Sequence, residues 1–203
     1  MKESETRDQI TKPCNPAKDG IETKDGIETK DGIEARDGIA ANVVIRPMTE
    51  EDIEEAAALE GKTFSMPWKA ADFLEMIKAQ YAHYFVAEYD KTGTLPDVRD
   101  SDVPDGKAIV GIIGLRDIAG EGEITNVAVD EKMRGLGIGK MLLERALSKA
   151  QELGIRDVTL EVRVSNVPAI GLYESHGFKS EGIRPNFYEH PTEDAAIYWR
   201  REQ

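Results

Sequence analysis

Hydrophobic and polar residues follow two different periods in the second half of this chain. Between residues 142 and 153 the hydrophobic positions recur every three or four residues, which predicts an amphipathic helix with one apolar stripe. The stripe consists of Leu142, Leu143, Ala146, Leu147, Ala150 and Leu153. Gly154 is then expected to end the helix. From residue 158 to residue 164 apolar and polar residues instead alternate, which predicts a strand with two unlike faces.

The same patterns predict further elements on both sides of this helix and strand. Strands are expected at residues 43–46, 83–89, 108–115, 123–129, 178–184 and 195–200. A capping box beginning at Thr49 predicts a helix that ends near Thr63, and residues 69–80 are expected to form another. Ser165 or Asn166 caps a short helix that Gly177 stops, and residues 91–106 are expected to form an exposed loop. Helices between strands indicate a mixed α/β fold.

The first 41 residues differ from the rest of the chain. A six-residue repeat occupies residues 18–39, with Asp-Gly pairs at 19–20, 25–26, 31–32 and 37–38. Each unit has one isoleucine, and four such units cannot bury enough apolar surface to offset the entropy of ordering them. The sequence therefore predicts a flexible tail at residues 1–41 and one folded domain at residues 42–203. A hexapeptide solenoid is the alternative, and it would need several full coils.

Composition excludes several classes of function. The net charge of −13 disfavours a nucleic acid partner and suits a basic peptide or amine, although the acidity could serve solubility alone. No apolar run approaches the roughly 20 residues of a membrane span, and the N-terminus does not resemble a signal peptide. We therefore expect a cytoplasmic protein. The single cysteine, Cys14, excludes an internal disulfide, and the three histidines lack metal-binding spacing.

Three glycines at alternate positions stand just before the long predicted helix. The segment is Arg134-Gly135-Leu136-Gly137-Ile138-Gly139, followed by Lys140. Free N–H groups at a helix N-terminus attract anions, so this loop is a candidate site for a pyrophosphate. It lacks the Gly-Lys-Ser/Thr ending of a nucleotide P-loop and the glycine spacing of a dinucleotide-binding loop. A tight strand-to-helix turn without a ligand is the alternative interpretation.

Several motifs in residues 124–200 together resemble the GCN5-related N-acetyltransferases (GNAT), and the likeness extends more weakly back to residue 43. The glycine loop is similar to the family pattern Gln/Arg-x-x-Gly-x-Gly/Ala. Further segments resemble the RimI-type branch: Met66-Pro67-Trp68, the run LEVRVSN at 160–166, the run AIGLYESHGF at 169–178, and Glu193-Asp194-Ala195. That branch acetylates the N-terminal alanine of a small-subunit ribosomal protein, and its relatives acetylate other protein N-termini.

The resemblance implies a fold, a co-substrate and the residues that bind it. The fold would be α/β, a mixed central sheet with splayed middle strands flanked by helices. Acetyl-CoA would place its pyrophosphate on Arg134, Gly135, Leu136, Gly137, Ile138, Gly139 and Lys140. Its pantetheine arm would lie beside Val127, Ala128 and Val129, and an amide there could polarise the thioester carbonyl. Asn166 and Tyr173 would face the same molecule.

The resemblance also implies the chemical roles. Glu161 would be the base that takes a proton from the attacking amine, and Tyr173 the acid that protonates the departing thiolate. Neither a covalent enzyme intermediate nor a metal is expected. An ordinary glutamate, with a pKa of about 4.3, is a weak base near neutral pH, so partial burial or a bridging water would have to help. Because Tyr173 follows Asn166 by seven residues, both are expected to project from one side of the short helix.

Simpler roles stay open for these residues when only their positions are considered. Glu161 could face solvent, and Tyr173 could be a packed residue with a satisfied hydroxyl. Arg163 and Glu174 could form a surface ion pair. Aromatic residues could line either a peptide groove or the core: Trp68, Phe187 and Tyr188.

The function predicted from the sequence is acetyl transfer from acetyl-CoA to a protein N-terminus, with a ribosomal protein as the first choice of acceptor. A small amine, an amino sugar or a lysine side chain is a second acceptor class. A CoA-binding sensor without catalysis is a third possibility. The expected partner is a basic protein N-terminus, with no direct nucleic acid contact, no membrane and a monomeric enzyme.

Overall fold

A computed structural model describes residues 42–90 and 106–201 of the chain. The predicted tail at residues 1–41 lies outside these ranges, as does all but the last residue of the predicted loop at 91–106. The described ranges cover the predicted folded domain except for residues 91–105 and 202–203.

One seven-stranded sheet forms the centre of the fold. Its strands are β1 (Val43–Pro47), β2 (Ala82–Asp90), β3 (Lys107–Ile118), β4 (Glu121–Val129), β5 (Asp157–Arg163), β6 (Lys179–Tyr188) and β7 (Glu193–Arg201). They lie side by side in the order β1-β2-β3-β4-β5-β7-β6. Strands β4 and β5 are parallel, and the other neighbouring pairs are antiparallel. The prediction of a mixed sheet is confirmed.

Four α-helices flank the sheet in the described residues. They are α1 (Ile53–Thr63), α2 (Ala70–Lys78), α3 (Ile138–Glu152) and α4 (Val167–Ser175). A 3-10 turn at Glu50–Asp52 precedes α1, and another at Glu131–Met133 precedes the glycine loop. The capping box predicted at Thr49 is present in part, because the Thr49 amide donates to Asp52 Oδ2 over 2.8 Å. The first turn of the predicted helix is therefore 3-10.

The middle of the sheet splays open between β4 and β5. These two strands pair only from Glu121 with Asp157 to Ile124 with Leu160. Beyond that point β4 stays paired to β3 as far as Val129, and β5 stays paired to β7 as far as Arg163. Each strand is thus held on its outer side while the facing inner edges separate. The predicted splay is confirmed, and it leaves unpaired backbone groups along β4.

Helix α3 covers one face of the sheet through the predicted apolar stripe. Leu142, Leu143, Ala146 and Ala150 are buried, and Leu147 is partly buried. Leu153 was predicted to belong to this apolar stripe, but it caps the helix and is 41% exposed. Gly154 follows with a φ of +75°, a left-handed conformation that ends the helix as expected.

Helices α1 and α2 cover the opposite face. Their core residues include Leu59, Phe73 and Met76. Trp68, from the segment between the two helices, packs against this cluster, with its ring 5.6 Å from Phe73 and 5.8 Å from Tyr84. Core packing therefore accounts for Trp68. None of the helices in the described ranges is both long and apolar enough to cross a membrane.

Candidate active site

The glycine loop occupies the sharp turn between the 3-10 turn and α3. Gly135 and Gly137 have φ values of +78° and +83°, which glycine adopts at little cost. Gly137 is the residue that caps α3, whereas Gly139 lies inside the helix in an ordinary conformation. The backbone amides from Gly135 to Lys140 donate no hydrogen bond to the described part of the chain. This row of free N–H groups at a helix N-terminus can bind an anion such as a pyrophosphate.

Arg134 connects this loop to the end of β4. Its Nε donates to the backbone oxygen of Val129 over 3.1 Å. Lys140 is more loosely held, since its Nζ lies 3.8 Å from Glu144 and its side chain is 60% exposed. Both cations therefore lie at the anion-binding end of the loop, where they add positive charge to the free amides.

The unpaired edge of β4 forms one wall of the opening in the sheet. Val127 and Val129 are half-buried, and Ala128 is fully buried against the α1 and α2 side. An extended ligand chain can lie along such an edge and bond to its backbone groups as an added strand would. Val127, Ala128 and Val129 lie on β4 beyond its pairing with β5, and their contact with a ligand stays a prediction.

Glu161 is the first residue of β5 beyond the paired region. Its Oε1 lies 2.8 Å from Nη1 of Arg184, and its side chain is 23% exposed. Burial raises the pKa of Glu161, the Arg184 guanidinium lowers it, and the Glu123 carboxylate raises it again. Partial burial thus shifts the pKa of Glu161 upward, which is the direction that a base near neutral pH requires.

Tyr173 is buried in α4 and packs against Phe178, with ring centroids 5.9 Å apart. Its hydroxyl makes no hydrogen bond within the described ranges. Burial raises the pKa of Tyr173, and Tyr188 nearby adds to the rise. The group is therefore a phenol at neutral pH and can donate a proton.

Tyr188 lies near both candidate catalytic residues. Burial raises its pKa to about 12, and the Glu161 carboxylate contributes to that rise. Tyr188 in turn contributes to the raised pKa of Tyr173. Tyr188 is half-buried, while Phe187 is 41% exposed and faces outward.

Asn166 caps α4, and its Oδ1 accepts a hydrogen bond from the Ala169 amide over 3.3 Å. It is exposed at the start of the helix, whereas Tyr173 is buried almost two turns later. The expectation that both project from one side of the helix stays a prediction. Its contact with a cofactor stays a prediction, and its Nδ2 group would be the available donor.

Two residues beside the splay were not predicted from the sequence. Glu60 of α1 is 1% exposed and accepts hydrogen bonds from Asn126 Nδ2 and, over 3.4 Å, from the Trp68 amide. Burial raises the pKa of Glu60, and the hydrogen bonds oppose the rise. Asn126 also accepts from Thr125 Oγ1 over 2.9 Å. A glutamate on the apolar side of α1 was the signal in the sequence that could have revealed this pair.

The suggested ion pair between Arg163 and Glu174 is wrong. Arg163 instead pairs with Glu193, with Nη1 3.0 Å from Oε2. Glu174 accepts a hydrogen bond from the Tyr198 hydroxyl over 3.0 Å. The two side chains point to different strands, which their spacing along the sequence did not reveal.

No set of three or more histidine, cysteine, aspartate or glutamate side chains that could hold a metal ion occurs within residues 42–90 and 106–201. The groups at the splay are instead free amides, a half-buried carboxyl and a buried phenol. Such a set suits proton transfer and the binding of an anionic ligand.

Comparisons with known proteins identify the family of this chain. The model of the acetyltransferase (GNAT) family matches residues 53–178. A putative ribosomal protein bS18-alanine N-acetyltransferase of Bacillus subtilis is 35% identical over 156 residues, covering 76% of this chain and 93% of that protein. The N-alpha-acetyltransferase RimI of Mycobacterium tuberculosis is 31% identical over 159 residues, covering 75% and 89% respectively.

A solved structure shares the fold. The crystal structure of the ribosomal-protein-S18-alanine N-acetyltransferase from Escherichia coli superposes with a TM-score of 0.64 at 25% identity, over 78% of this chain and 93% of that one. The family match spans more than half of the 203 residues and includes the splay and the glycine loop. This chain therefore belongs to the GNAT acetyltransferase family and is an N-acetyltransferase related to the RimI-type enzymes.

Proposed function

We propose that this enzyme transfers an acetyl group from acetyl-CoA to the N-terminal alanine amine of a protein, and that the acceptor is ribosomal protein S18. The relatives from Bacillus subtilis and Escherichia coli carry that activity in their names and match most of this chain. The observation that carries the chemistry is the half-buried carboxyl of Glu161 at the point where β4 and β5 separate. Because ribosomes lie in the cytoplasm, a ribosomal acceptor implies that the enzyme works there.

The glycine loop and the open edge of β4 would together bind acetyl-CoA. The free amides from Gly135 to Lys140 would bind its pyrophosphate, with Arg134 and Lys140 nearby. The pantetheine arm would bond to the unpaired edge of β4 at Val127, Ala128 and Val129. The thioester would then reach the splay, where the Val127 amide or a neighbour would polarise its carbonyl.

Glu161 would accept the proton that the acceptor amine must lose. A free α-amino group has a pKa of about 8, so most of it is protonated at neutral pH and cannot attack. Burial favours a neutral carboxyl at Glu161, which makes the carboxylate a better proton acceptor than an exposed glutamate. The transfer would occur directly or through one water.

Tyr173 would supply the proton that the leaving group needs. Attack forms the bond between nitrogen and the acetyl carbon, and collapse of the tetrahedral intermediate breaks the bond between that carbon and sulfur. The sulfur leaves as a thiolate, which takes the Tyr173 proton and departs as a thiol. The attacking nitrogen then loses its second proton through solvent to the Tyr173 phenolate, which restores the phenol. A tyrosine phenol is protonated at neutral pH, as this role requires. Burial raises the pKa of Tyr173, which favours return of a proton to the phenolate after the transfer.

Intact-mass analysis tests the acceptor. The purified enzyme would be incubated with acetyl-CoA and peptides that copy the S18 N-terminus of the source organism, with free or formylated termini. We expect one added acetyl group on the free peptide and none on the blocked one. Acetylation of only a small amine or a lysine side chain would contradict the N-terminal proposal. Acetyl-CoA binding without any transfer would instead favour a sensor.

A further inference from the structure

Arg163, the last residue of β5, reaches two segments that are distant in the sequence. Its Nη1 donates to Glu193 Oε2 over 3.0 Å and to the Pro191 backbone oxygen over 3.1 Å. Its Nη2 donates to Ser65 Oγ over 3.2 Å and to the Glu189 backbone oxygen over 3.1 Å. One guanidinium therefore connects the segment between α1 and α2 with the turn between β6 and β7.

The two segments also touch each other at the same place. Ser65 Oγ donates to the Glu189 oxygen over 3.0 Å, so this oxygen accepts from both Ser65 and Arg163. The Arg163 guanidinium lies over the ring of Tyr188, 4.4 Å from its centroid. Its side chain is 24% exposed, and that of Glu193 is 17% exposed. Partial burial and four hydrogen bonds fix the orientation of this arginine.

The position of Arg163 relates this connection to the site. Arg163 follows Glu161 by two residues on one strand, so both side chains lie on the same face of the sheet. Tyr188, which the guanidinium covers, is close enough to Glu161 for the carboxylate to raise its pKa. The junction of the two segments is therefore adjacent to the proposed base.

We propose that Arg163 is a positioning residue for the peptide acceptor. It holds the segment around Ser65 and the turn at Glu189 to Pro191 in one arrangement beside Glu161, so that a peptide N-terminus enters in line with the base. Arg163 does not touch the reacting atoms. This inference depends on the proposed peptide acceptor and adds the residue that shapes its entry.

Lysine cannot replace arginine in this role. The planar guanidinium spreads its donors over two sides and reaches acceptors from both segments, whereas an ammonium group presents a single charged point. Arg163→Lys keeps the charge near Glu193 and loses the connection to Ser65 and Glu189. We expect the KM for a six-residue Ala-first peptide to rise at least tenfold, with kcat changed less than threefold.

Arg201→Lys is the matched control. Arg201 of β7 makes the same kind of arrangement away from the splay, with hydrogen bonds to Glu181 over 3.0 and 2.8 Å and to Asp157 over 3.2 Å. It also lies over an aromatic ring, 4.2 Å from the centroid of Trp199. We expect this variant to keep the wild-type KM for the peptide.

The experiment measures kcat and KM for the peptide and for alanine amide, and the affinity for acetyl-CoA, in the wild type and both variants. A KM rise confined to Arg163→Lys and larger for the peptide than for alanine amide supports the proposal, provided that acetyl-CoA affinity is unchanged. Equal KM values in the two lysine variants would overturn it. If the wild type acetylates no peptide, the proposed function fails and this inference fails with it.

Ser65→Ala covers the case in which Arg163→Lys does not fold. Ser65 is exposed and joins Arg163 Nη2 to the Glu189 oxygen, so its removal weakens the junction without disturbing the core. We expect a smaller rise in peptide KM, about threefold, at an unchanged melting temperature. This value corresponds to the loss of roughly 0.7 kcal/mol, as for a single exposed hydrogen bond. An unchanged KM would count against the proposal.

Discussion

Oε1 of Glu161 lies 2.8 Å from Nη1 of Arg184, although strand β7 separates their two strands. Arg184 pairs in register with Ala195, and Ala195 pairs with Arg163 on the other side. The ion pair thus crosses the sheet diagonally over a small, buried alanine. The proposed base is therefore held by a cation whose side chain is 54% exposed.

This relationship predicts a shift in the pH dependence of the reaction. A neighbouring cation favours the ionised carboxylate, so Arg184 lowers the pKa of Glu161 against the larger effect of burial. Arg184→Gln removes the cation, and the pKa of Glu161 should rise. Because Glu161 must be ionised to accept a proton, the acid limb of the profile of kcat/KM against pH should move to higher pH. Arg201→Gln, remote from the splay, should leave the limb in place, and a shift to lower pH in Arg184→Gln would refute the assignment.

Tyr173→Phe tests the proposed acid. The hydroxyl makes no hydrogen bond in the described part of the chain, so its removal should change stability little. The kcat should fall by about 10²-fold, within the range typical of general acid catalysis, while acetyl-CoA still binds. Tyr198→Phe is the matched control, since that buried tyrosine bonds to Glu174 over 3.0 Å. It should lower the melting temperature and spare kcat, and the opposite pattern would contradict the role of Tyr173.

Substituting two glycines with similar backbone conformations distinguishes an effect on ligand binding from an effect of backbone strain. Gly137 and Gly154 stand at opposite ends of α3 with φ values of +83° and +75°, and a Cβ added at either meets no atom of residues 42–90 or 106–201 within 4 Å. Alanine at either position should cost about 1 kcal/mol of stability through its left-handed backbone. Only Gly137→Ala should also weaken acetyl-CoA binding, by several-fold in a titration, because it alone alters the free amides. Equal affinities in both variants would argue against a pyrophosphate at this loop.

The ion pair between Arg46 and Asp52, beside α1, predicts that part of the free energy of unfolding is lost in acid. Arg46 donates to both carboxylate oxygens of Asp52, over 2.7 Å each, and this bonding lowers the pKa of Asp52. Asp52→Asn should lower the free energy of unfolding by about 1–3 kcal/mol at neutral pH. A carboxyl whose pKa is lowered by folding stabilises the folded state fully at pH values above its pKa in the unfolded chain, about 3.9. This contribution is lost as the pH falls through the pKa of the carboxyl in the folded state. The difference between wild type and variant in urea unfolding should therefore shrink in acid.

Asp72→Asn is the control for that prediction. Asp72 accepts a hydrogen bond from the Lys69 amide over 2.7 Å, as Asp52 does from Thr49, but none of the arginines that the structure describes pairs with it. Its replacement should have a smaller effect on unfolding. A difference for Asp52→Asn that stays constant down to strongly acidic pH would show that the ion pair does not stabilise the fold.

Local sequence patterns predicted most of the fold because its elements carry strong periods. The stripe on α3 and the alternation in β5 follow directly from which residues are buried. Leu153 fails the pattern because it lies at the helix end, where the backbone leaves the sheet. The bounds of β6 were less predictable. This strand lies at the sheet edge with mostly exposed residues up to Tyr188, so burial imposed little alternation on its sequence.

The site was predictable where its residues form motifs and not where they meet across the fold. The glycine loop stands at the start of α3, as its motif predicted, and Glu161 begins the part of β5 that is separated from β4. The bond between Glu60 and Asn126 joins residues 66 positions apart, and the bond from Arg163 to Ser65 spans 98. No local period encodes such contacts, because they depend on how two segments are brought together by the sheet.

The central claim is that Glu161 takes the proton from the acceptor amine, and Glu161→Gln tests it most directly. Glutamine keeps the size of the side chain and can still bond to Arg184, but it cannot accept a proton at neutral pH. Under saturating acetyl-CoA and Ala-first peptide, we predict that kcat falls at least 10²-fold while the dissociation constant of acetyl-CoA stays within twofold of wild type. A kcat within a few-fold of wild type would contradict the assignment of Glu161 as the base.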